Sequence, residues 1–334
     1  MLVYDRMMPW NTIGHEWAVA MLARAAKTQP AHAYLFTGPS HIGKMTLAYD
    51  FARALNCEGD EPPCGVCRAC VQIGASRHPD FHLVQRQPDK SEILVEQLRE
   101  LQNDLTFKPY EGHWRVAVIE NAQEANVSAA NSFLKTLEEP GPQVVIVLTA
   151  PNPEAVIPTI RSRCQIMPLR TLPLGQVEQA LRDVFHVAPE PAQLLSRLSV
   201  GRIGWAISAS QDEEVLSLRT ARLQEMLGLL PQSRAARIEL AGRLTRAENE
   251  LGPLLELWLS WWRDLLLVKG GCAEAIVNVD LRERLCHDAE SLKLAAIRKT
   301  IEAIQSARRQ IGQNVNPRLA LEVMLMETPT LAGP

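Results

Sequence analysis

No stretch of this chain is apolar for long enough to cross a membrane. The best candidate, Leu254 to Val268, is interrupted by Glu256, Arg263 and Asp264. An excess of positive charge is also missing: 35 Lys and Arg stand against 38 Asp and Glu, for a formal net charge of −3. That balance argues against a stand-alone nucleic-acid binder. Aromatic residues are sparse, at 5% beside a hydrophobic content of 46%, which is an ordinary globular composition. Neither an internal repeat nor a low-complexity tract is present. Met1 to Trp10 carries Asp5 and Arg6 and lacks the apolar centre of a signal peptide. The expectation is a cytoplasmic protein without a membrane partner. There, seven cysteines serve more readily as thiols or metal ligands than as disulfides.

What is present, over 334 residues, is enough chain for two or three domains with separate cores. Up to about Pro168, short β-rich runs alternate with helical stretches, the pattern of a three-layer α/β domain. The runs are Ala33 to Phe36, Phe81 to Val84, Arg115 to Ile119 and Val144 to Thr149. The helical stretches are Met45 to Asn56, Val95 to Leu105 and Asn126 to Leu137. Nearly continuous apolar strands suit a parallel sheet covered on both faces. From Leu172 onward strand signals stop. Val177, Leu181 and Val184 share one helical face, and Leu194, Leu195 and Leu198 another. Asp212-Glu213-Glu214 reads as a hinge to a further all-helical block. The expected division is an α/β P-loop domain over 1–170, a small helical domain over 171–211, a helical domain over 212–327 and a disordered tail over 328–334. Trp258, Trp261, Trp262, Leu265 and Leu266 form a broad apolar face, read mainly as core. Asn314 and Asn316-Pro317 read as the turn and cap of the last helix.

Gly38-Pro39-Ser40-His41-Ile42-Gly43-Lys44 has the glycine spacing and lysine of a phosphate-binding Walker A loop, placed between a strand and a helix. Backbone N–H groups at a helix N-terminus make an anion site there. The next position should carry a magnesium-binding hydroxyl. It is Met45, whose thioether is a poor ligand for so hard a cation. Thr46 is displaced by about 100° around the helix. Val116 to Ile119 ends in Glu120-Asn121, where an active ATPase shows Asp-Glu. Gly38, Gly43, Lys44 and Thr46 therefore form a degenerate nucleotide loop, for which weak ATP or ADP binding, or a purely structural role, is expected.

Cys57, Cys64, Cys67 and Cys70 give a C-x6-C-x2-C-x2-C array directly after the Walker A helix, with Pro62-Pro63 and Gly65 to turn the chain. Four thiolates so close fit a closed, structural zinc site, and the metal would supply the local folding energy. Reduced surface thiols and an iron–sulfur cluster are the rival readings; the second lacks the Cys-x3-Cys-Pro of bacterial ferredoxins. His78 is an alternative to one of the four ligands, though it reads better as solvated or capping. Cys164, Cys272 and Cys286 read as buried small hydrophobes.

Together these residues resemble the AAA+ clamp-loader subunits of bacterial DNA polymerase III. The resemblance is carried by His32 to Pro39, Gly43-Lys44, Ala52 to Cys57 and His78-Pro79-Asp80. It extends to Asn131 to Pro140 (with Leu134-Lys135-Thr136-Leu137-Glu138-Glu139-Pro140), Ser162-Arg163-Cys164 and Asn314 to Glu322, and so spans nearly the whole chain. It implies an AAA+-type α/β domain with an inserted zinc module, a helical lid and a helical collar that builds the oligomer. It implies that Arg163 is an arginine finger, acting in trans on the ATP of the next subunit. Thr149 is similar to the family's γ-phosphate sensor, although a strand-end threonine satisfying backbone is an equal reading. The family holds ATP-hydrolysing tau/gamma subunits and delta-prime subunits that generally lack a working site. Met45, Glu120-Asn121 and Trp205, which stands where ATP-sensing members carry arginine, favour the delta-prime type: a stator without independent ATPase activity. The partners then implied are a tau/gamma-type ATPase subunit, a delta-like subunit, and the sliding clamp and primed DNA through the assembled complex. The alternative is an active tau/gamma-type ATPase. A P-loop nucleotide kinase leaves the cysteine array and Ser-Arg-Cys without a role, and a stand-alone zinc-dependent DNA binder lacks a recognition-helix motif.

Overall fold

The computed structural model describes residues 10–90, 92–245, 251–313 and 315–330. The reading of Met1 to Trp10 therefore lies outside the described residues except at Trp10, and that of Asn314 lies wholly outside. The chain divides into two compact units, Met1–Val184 with Gly201–Trp205 and Phe185–Val200 with Ala206–Pro334. No helix among the described residues is long and apolar enough to cross a membrane.

In the first unit the elements run α1 (Glu16–Lys27), β1 (Ala33–Thr37), α2 (Lys44–Asn56), α3 (Arg68–Gly74), β2 (Phe81–Val84), α4 (Val95–Leu105) and β3 (Arg115–Ile119). They continue with α5 (Val127–Glu138), β4 (Val144–Ala150), α6 (Pro158–Arg161), β5 (Gln165–Pro168) and α7 (Leu174–Asp183). Among the described residues the sheet has five strands in the order β2-β3-β4-β1-β5. Every pairing is parallel, with Leu35 of β1 level with Leu148 of β4 and Ile166 of β5.

The strand period of two separates the core into layers. On β1, Tyr34 and Phe36 join Leu22 of α1 and Leu47 and Phe51 of α2 on one face. Ala33 and Leu35 join Leu98 and Leu101 of α4 and Phe133 and Leu137 of α5 on the other. β3 and β4 divide the same way, Val116, Val118, Val145 and Val147 facing the first layer and Ala117, Ile119, Ile146 and Leu148 the second. The result is the three-layer parallel α/β fold expected from the sequence.

Besides the short α6, three elements of this unit are not legible in the sequence. β5 buries only Met167 of its four residues, so it carries no apolar run to read. α1 buries only Ala18 and Leu22, too few to set a period, and α3 lies among the cysteines.

The second unit is helical: α8 (Pro189–Ser199), the larger part of α9 (Ile203–Gln211), α10 (Glu213–Leu229), α11 (Arg234–Leu244) and α12 (Leu251–Lys269), then α13 (Arg282–Ser291), α14 (Leu294–Gly312) and α15 (Pro317–Glu327). Trp258, Trp261 and Trp262 of α12 are buried within this unit's own core, beside Leu223, Leu285 and Ile304. Asn316 caps α15, its Oδ1 accepting from Arg318 and Leu319 N–H.

A buried guanidinium secures the last described residues. Arg237 donates to the carbonyls of Leu325 (2.9 Å), Thr328 (2.6 Å), Leu230 (2.9 Å) and Pro329 (3.1 Å). Residues 328–330 of the expected tail are thus tied to α11, while 331–334 lie outside the described residues. Arg237→Ala leaves several buried carbonyls without a donor and should lower the stability of this unit by about 2–4 kcal/mol. Urea unfolding checks this, and an unshifted midpoint would refute it.

Candidate functional site

The phosphate loop begins where β1 ends. Gly38 adopts φ 145°, and a Cβ there would lie 2.3 Å from the Leu169 carbonyl oxygen and 2.4 Å from Ile42 Cδ1. Gly43 stands at φ 96° as N-cap of α2, with open space around it, so its backbone alone asks for glycine. The loop is pinned from several sides. Gly38 N–H donates to Ala150 O (3.1 Å), and Gly204 N–H donates to His41 O (2.7 Å). His15 Nε2 donates to Ile42 O (3.2 Å). Lys44 Nζ turns back onto the loop, donating to Gly38 O (2.7 Å) and Pro39 O (2.8 Å).

Met45 packs against the apolar layer that holds Phe36 and Phe51, and Thr46 is exposed. Beside the loop, burial pushes the Glu120 carboxyl above its ordinary range; Glu124 adds to this and Lys44 opposes it. Asn121 takes a left-handed backbone, φ 51°, and its N–H donates to Thr149 Oγ1 (2.9 Å). Thr149 is fully buried, and that contact satisfies backbone, the second of its two readings.

The four array cysteines converge: the Sγ atoms of Cys57, Cys64, Cys67 and Cys70 all lie within 4.8 Å of one another. A tetrahedral zinc–thiolate site has sulfurs about 3.8 Å apart, so this donor set fits that metal in number, softness and spacing. Backbone N–H groups point at the sulfurs, from Cys64 to Cys57 Sγ (3.2 Å), Cys67 to Cys64 Sγ (3.3 Å) and Cys70 to Cys67 Sγ (3.4 Å). Such donors favour thiolate. Burial raises the Cys64 thiol, but N–H donors from Cys67 and Val66 outweigh it and bring the group to about 7. Burial pushes Cys70 up instead.

Of two further readings, the capping alternative for His78 holds, and the burial expected of Cys272, in the second unit, needs correction. His78 is buried rather than solvated, and its Nδ1 accepts from Asp80 N–H (3.1 Å), so it caps a turn. Cys272 is exposed rather than buried, because it follows the Gly270-Gly271 turn that ends α12. Cys164 and Cys286 are half-buried, and burial raises the Cys164 thiol to about 12.

Asp80 was quoted from the sequence without a role. It is fully buried, and its carboxylate accepts from the N–H groups of Tyr110 (2.7 Å), Glu111 (2.9 Å) and Gly112 (2.8 Å) and from Arg115 Nη2 (3.1 Å). The same loop is held by Asn56, which exchanges hydrogen bonds with Trp114 backbone (2.8 and 2.9 Å), and by an Arg68–Glu111 ion pair of 3.0 Å reaching it from α3.

Arg163 lies between α6 and β5 with its side chain 34% exposed. Its guanidinium donates to Thr159 O (2.8 Å), Ser162 Oγ (3.2 Å) and the Glu138 carboxylate. Its partners are therefore distinct from the residues that hold the phosphate loop.

The model of a family described as DNA polymerase III, delta subunit, matches residues 14–173. Its C-terminal counterpart matches residues 213–329. DNA polymerase III subunit delta' of Pseudomonas aeruginosa is 31% identical over 342 residues, covering 96% of this chain and 98% of the relative. The chain belongs to the DNA polymerase III delta-prime family. The delta-prime subunit of Bacillus subtilis is 29% identical over 307 residues, 90% of this chain and 91% of its own. The tau subunit of Escherichia coli is 28% identical over 92% of this chain but only 48% of its own length. In this delta-prime chain, the loop glycines and the cysteines were readable from spacing. The contacts of Asp80 and Gly204 were not, because the partners of each are distant in sequence.

Asp80 gives a pH test. Burial raises its carboxyl, but the N–H donors of Gly112, Tyr110 and Glu111 and the charge of Arg115 prevail and hold it below the ordinary value. A depressed carboxyl contributes stability that is present above the unfolded pKa, about 4, and is lost as pH falls through the folded pKa. Asp80→Asn should therefore cost about 2–4 kcal/mol near pH 7. The mutant and parent unfolding curves should converge at acid pH; a constant gap from pH 7 to pH 2 would contradict this.

Proposed function

We propose that this chain is the stator of a DNA polymerase III clamp loader, a cytoplasmic assembly that places the sliding clamp on primed DNA. In this reading it braces a tau/gamma-type ATPase subunit and a delta-like subunit. It hydrolyses no ATP of its own and lends Arg163 to the nucleotide of the adjoining ATPase. Residues 171–211 serve as lid and 212–327 as collar.

The observation that carries the reading is the separation of Arg163 from this chain's own phosphate loop. All strands are parallel, so Gly38 follows the C-terminal end of β1, whereas Arg163 precedes Gln165, which is level with Tyr34 at the other end. Four strand residues span roughly 13 Å, more than an arginine side chain covers. An arginine so placed serves a nucleotide outside its own subunit. The phosphate loop supports the same view: Met45 packs against the apolar layer, and Lys44 and His41 are bound to protein carbonyls or amides. ATP or ADP, if taken up by Gly38, Gly43 and Lys44, would have to displace the Lys44 contacts and would lack a magnesium-binding hydroxyl at Met45. The active tau/gamma reading is the weaker for that reason.

The expected outcome for Arg163→Ala is normal assembly with a tau/gamma partner and a fall of about tenfold or more in DNA-stimulated ATP turnover. The unmutated chain by itself should show no magnesium-dependent hydrolysis. Unchanged turnover in the mutant complex would remove the finger, and brisk hydrolysis by the isolated chain would favour the active-ATPase reading.

The cysteine cluster, in this proposal, holds one structural zinc ion through Cys57, Cys64, Cys67 and Cys70. When bound, zinc supplies cross-linking and no chemistry. Cys67→Ser should lower metal content measured by atomic absorption and destabilise the first unit through loss of the metal cross-link, since serine keeps the N-cap that Cys67 gives α3. Full zinc stoichiometry in that variant would count against a four-thiolate site.

A further inference from the structure

We propose that Glu138 is a positioning residue for Arg163, holding the guanidinium ready for the adjoining subunit's nucleotide. The inference rests on the reading of Arg163 as a finger. It goes further by assigning a role to an acid in Leu-Glu-Glu-Pro that the sequence left without one.

An arginine on a surface turn samples many rotamers, and ordering it on docking opposes the contact. Here the order exists beforehand. Nη2 donates to the Glu138 carboxylate, while Nη1 donates to Thr159 O (2.8 Å) and Ser162 Oγ (3.2 Å). The anchors come from two different helices, α5 and α6, so the planar group is fixed in direction as well as position.

Glu138 has no local reason to be acidic. It is the last residue of α5, where the helix dipole disfavours a carboxylate and favours a cation. Arg163 provides that cation across 25 residues of sequence.

Exposure decides between holding and sequestering. The Arg163 and Glu138 side chains are 34% and 49% exposed, so the pair faces solvent and binds weakly. A polyphosphate carries more charge than one carboxylate and takes the guanidinium without leaving a buried acid unpaired. Glu138 thus orders the finger without locking it away.

The test uses the reconstituted complex with a tau/gamma partner and reads DNA-stimulated ATP turnover. Glu138→Gln should lower kcat by about threefold to tenfold with KM for ATP unchanged. The thermal midpoint of the isolated subunit should stay where it is, which a merely structural role would not allow. In an Arg163→Ala background, adding Glu138→Gln should cause no further loss. If Arg163→Ala alone has no effect, the finger reading fails and this inference with it. If Arg163→Ala slows turnover but Glu138→Gln does not, or if the two losses multiply, the finger stands and the positioning role is overturned.

Discussion

Strand direction is the constraint on which the first unit depends. Because every strand runs the same way, the sheet has two chemically different ends. The C-terminal ends gather Gly38 to Lys44, Glu120-Asn121 and Thr149, which is where a parallel α/β sheet presents its ligand-binding loops. The N-terminal ends gather the segments that enter strands: Asp80 before β2, Arg115 opening β3, and Arg163 before β5. Glu138 arrives at this second end because α5 runs back from the first. β1 makes the separation firm, since all five of its residues are buried and both its neighbours pair with it in register.

At the first end the phosphate loop is held by contacts within the chain. Here the lysine ammonium rests on Gly38 and Pro39 carbonyls, and Gly204 ties the apex through His41. Neither glycine needs nucleotide to explain it: the Leu169 carbonyl leaves no room for a Cβ at Gly38, and Gly43 stands at positive φ. Met45, at the position of the motif's hydroxyl residue, is half-buried and packs against the apolar layer.

The sequence was informative wherever one short segment carries the whole signal. β2, β3 and α4 occupy the expected residues because their periodicity is internal to each. Cysteine spacing placed four thiols together because the intervening turns are too short to separate them. Signals failed where the cause lies elsewhere in the chain. β5 is a strand because β1 offers it an edge, and its own side chains, largely exposed, do not announce it. His78 is buried because Asp80 organises the turn around it. Asp80 is anionic and buried because residues 110–112 and Arg115 supply its donors, more than 25 positions away. Among the cysteines, only the isolated Cys272 was placed on the wrong side of the surface.

The second end of the sheet also shows what the cysteine cluster is coupled to. The cysteine segment lies between α2 and α3 and has little apolar content to fold on. From α3, Arg68 reaches Glu111 in the loop that Asp80 organises, and from the end of α2, Asn56 clamps Trp114 in that loop. Fixing the cysteines together therefore fixes the start of α3 relative to the end of α2, and both of those points hold the 106–114 loop. The Arg68–Glu111 pair is exposed and weak by itself. Its value depends on how little its two backbones move, which the Asp80 carboxylate limits on one side and the cysteine cluster on the other. This end of the sheet thus obtains its stiffness from buried charge and clustered sulfur, with little help from a larger core.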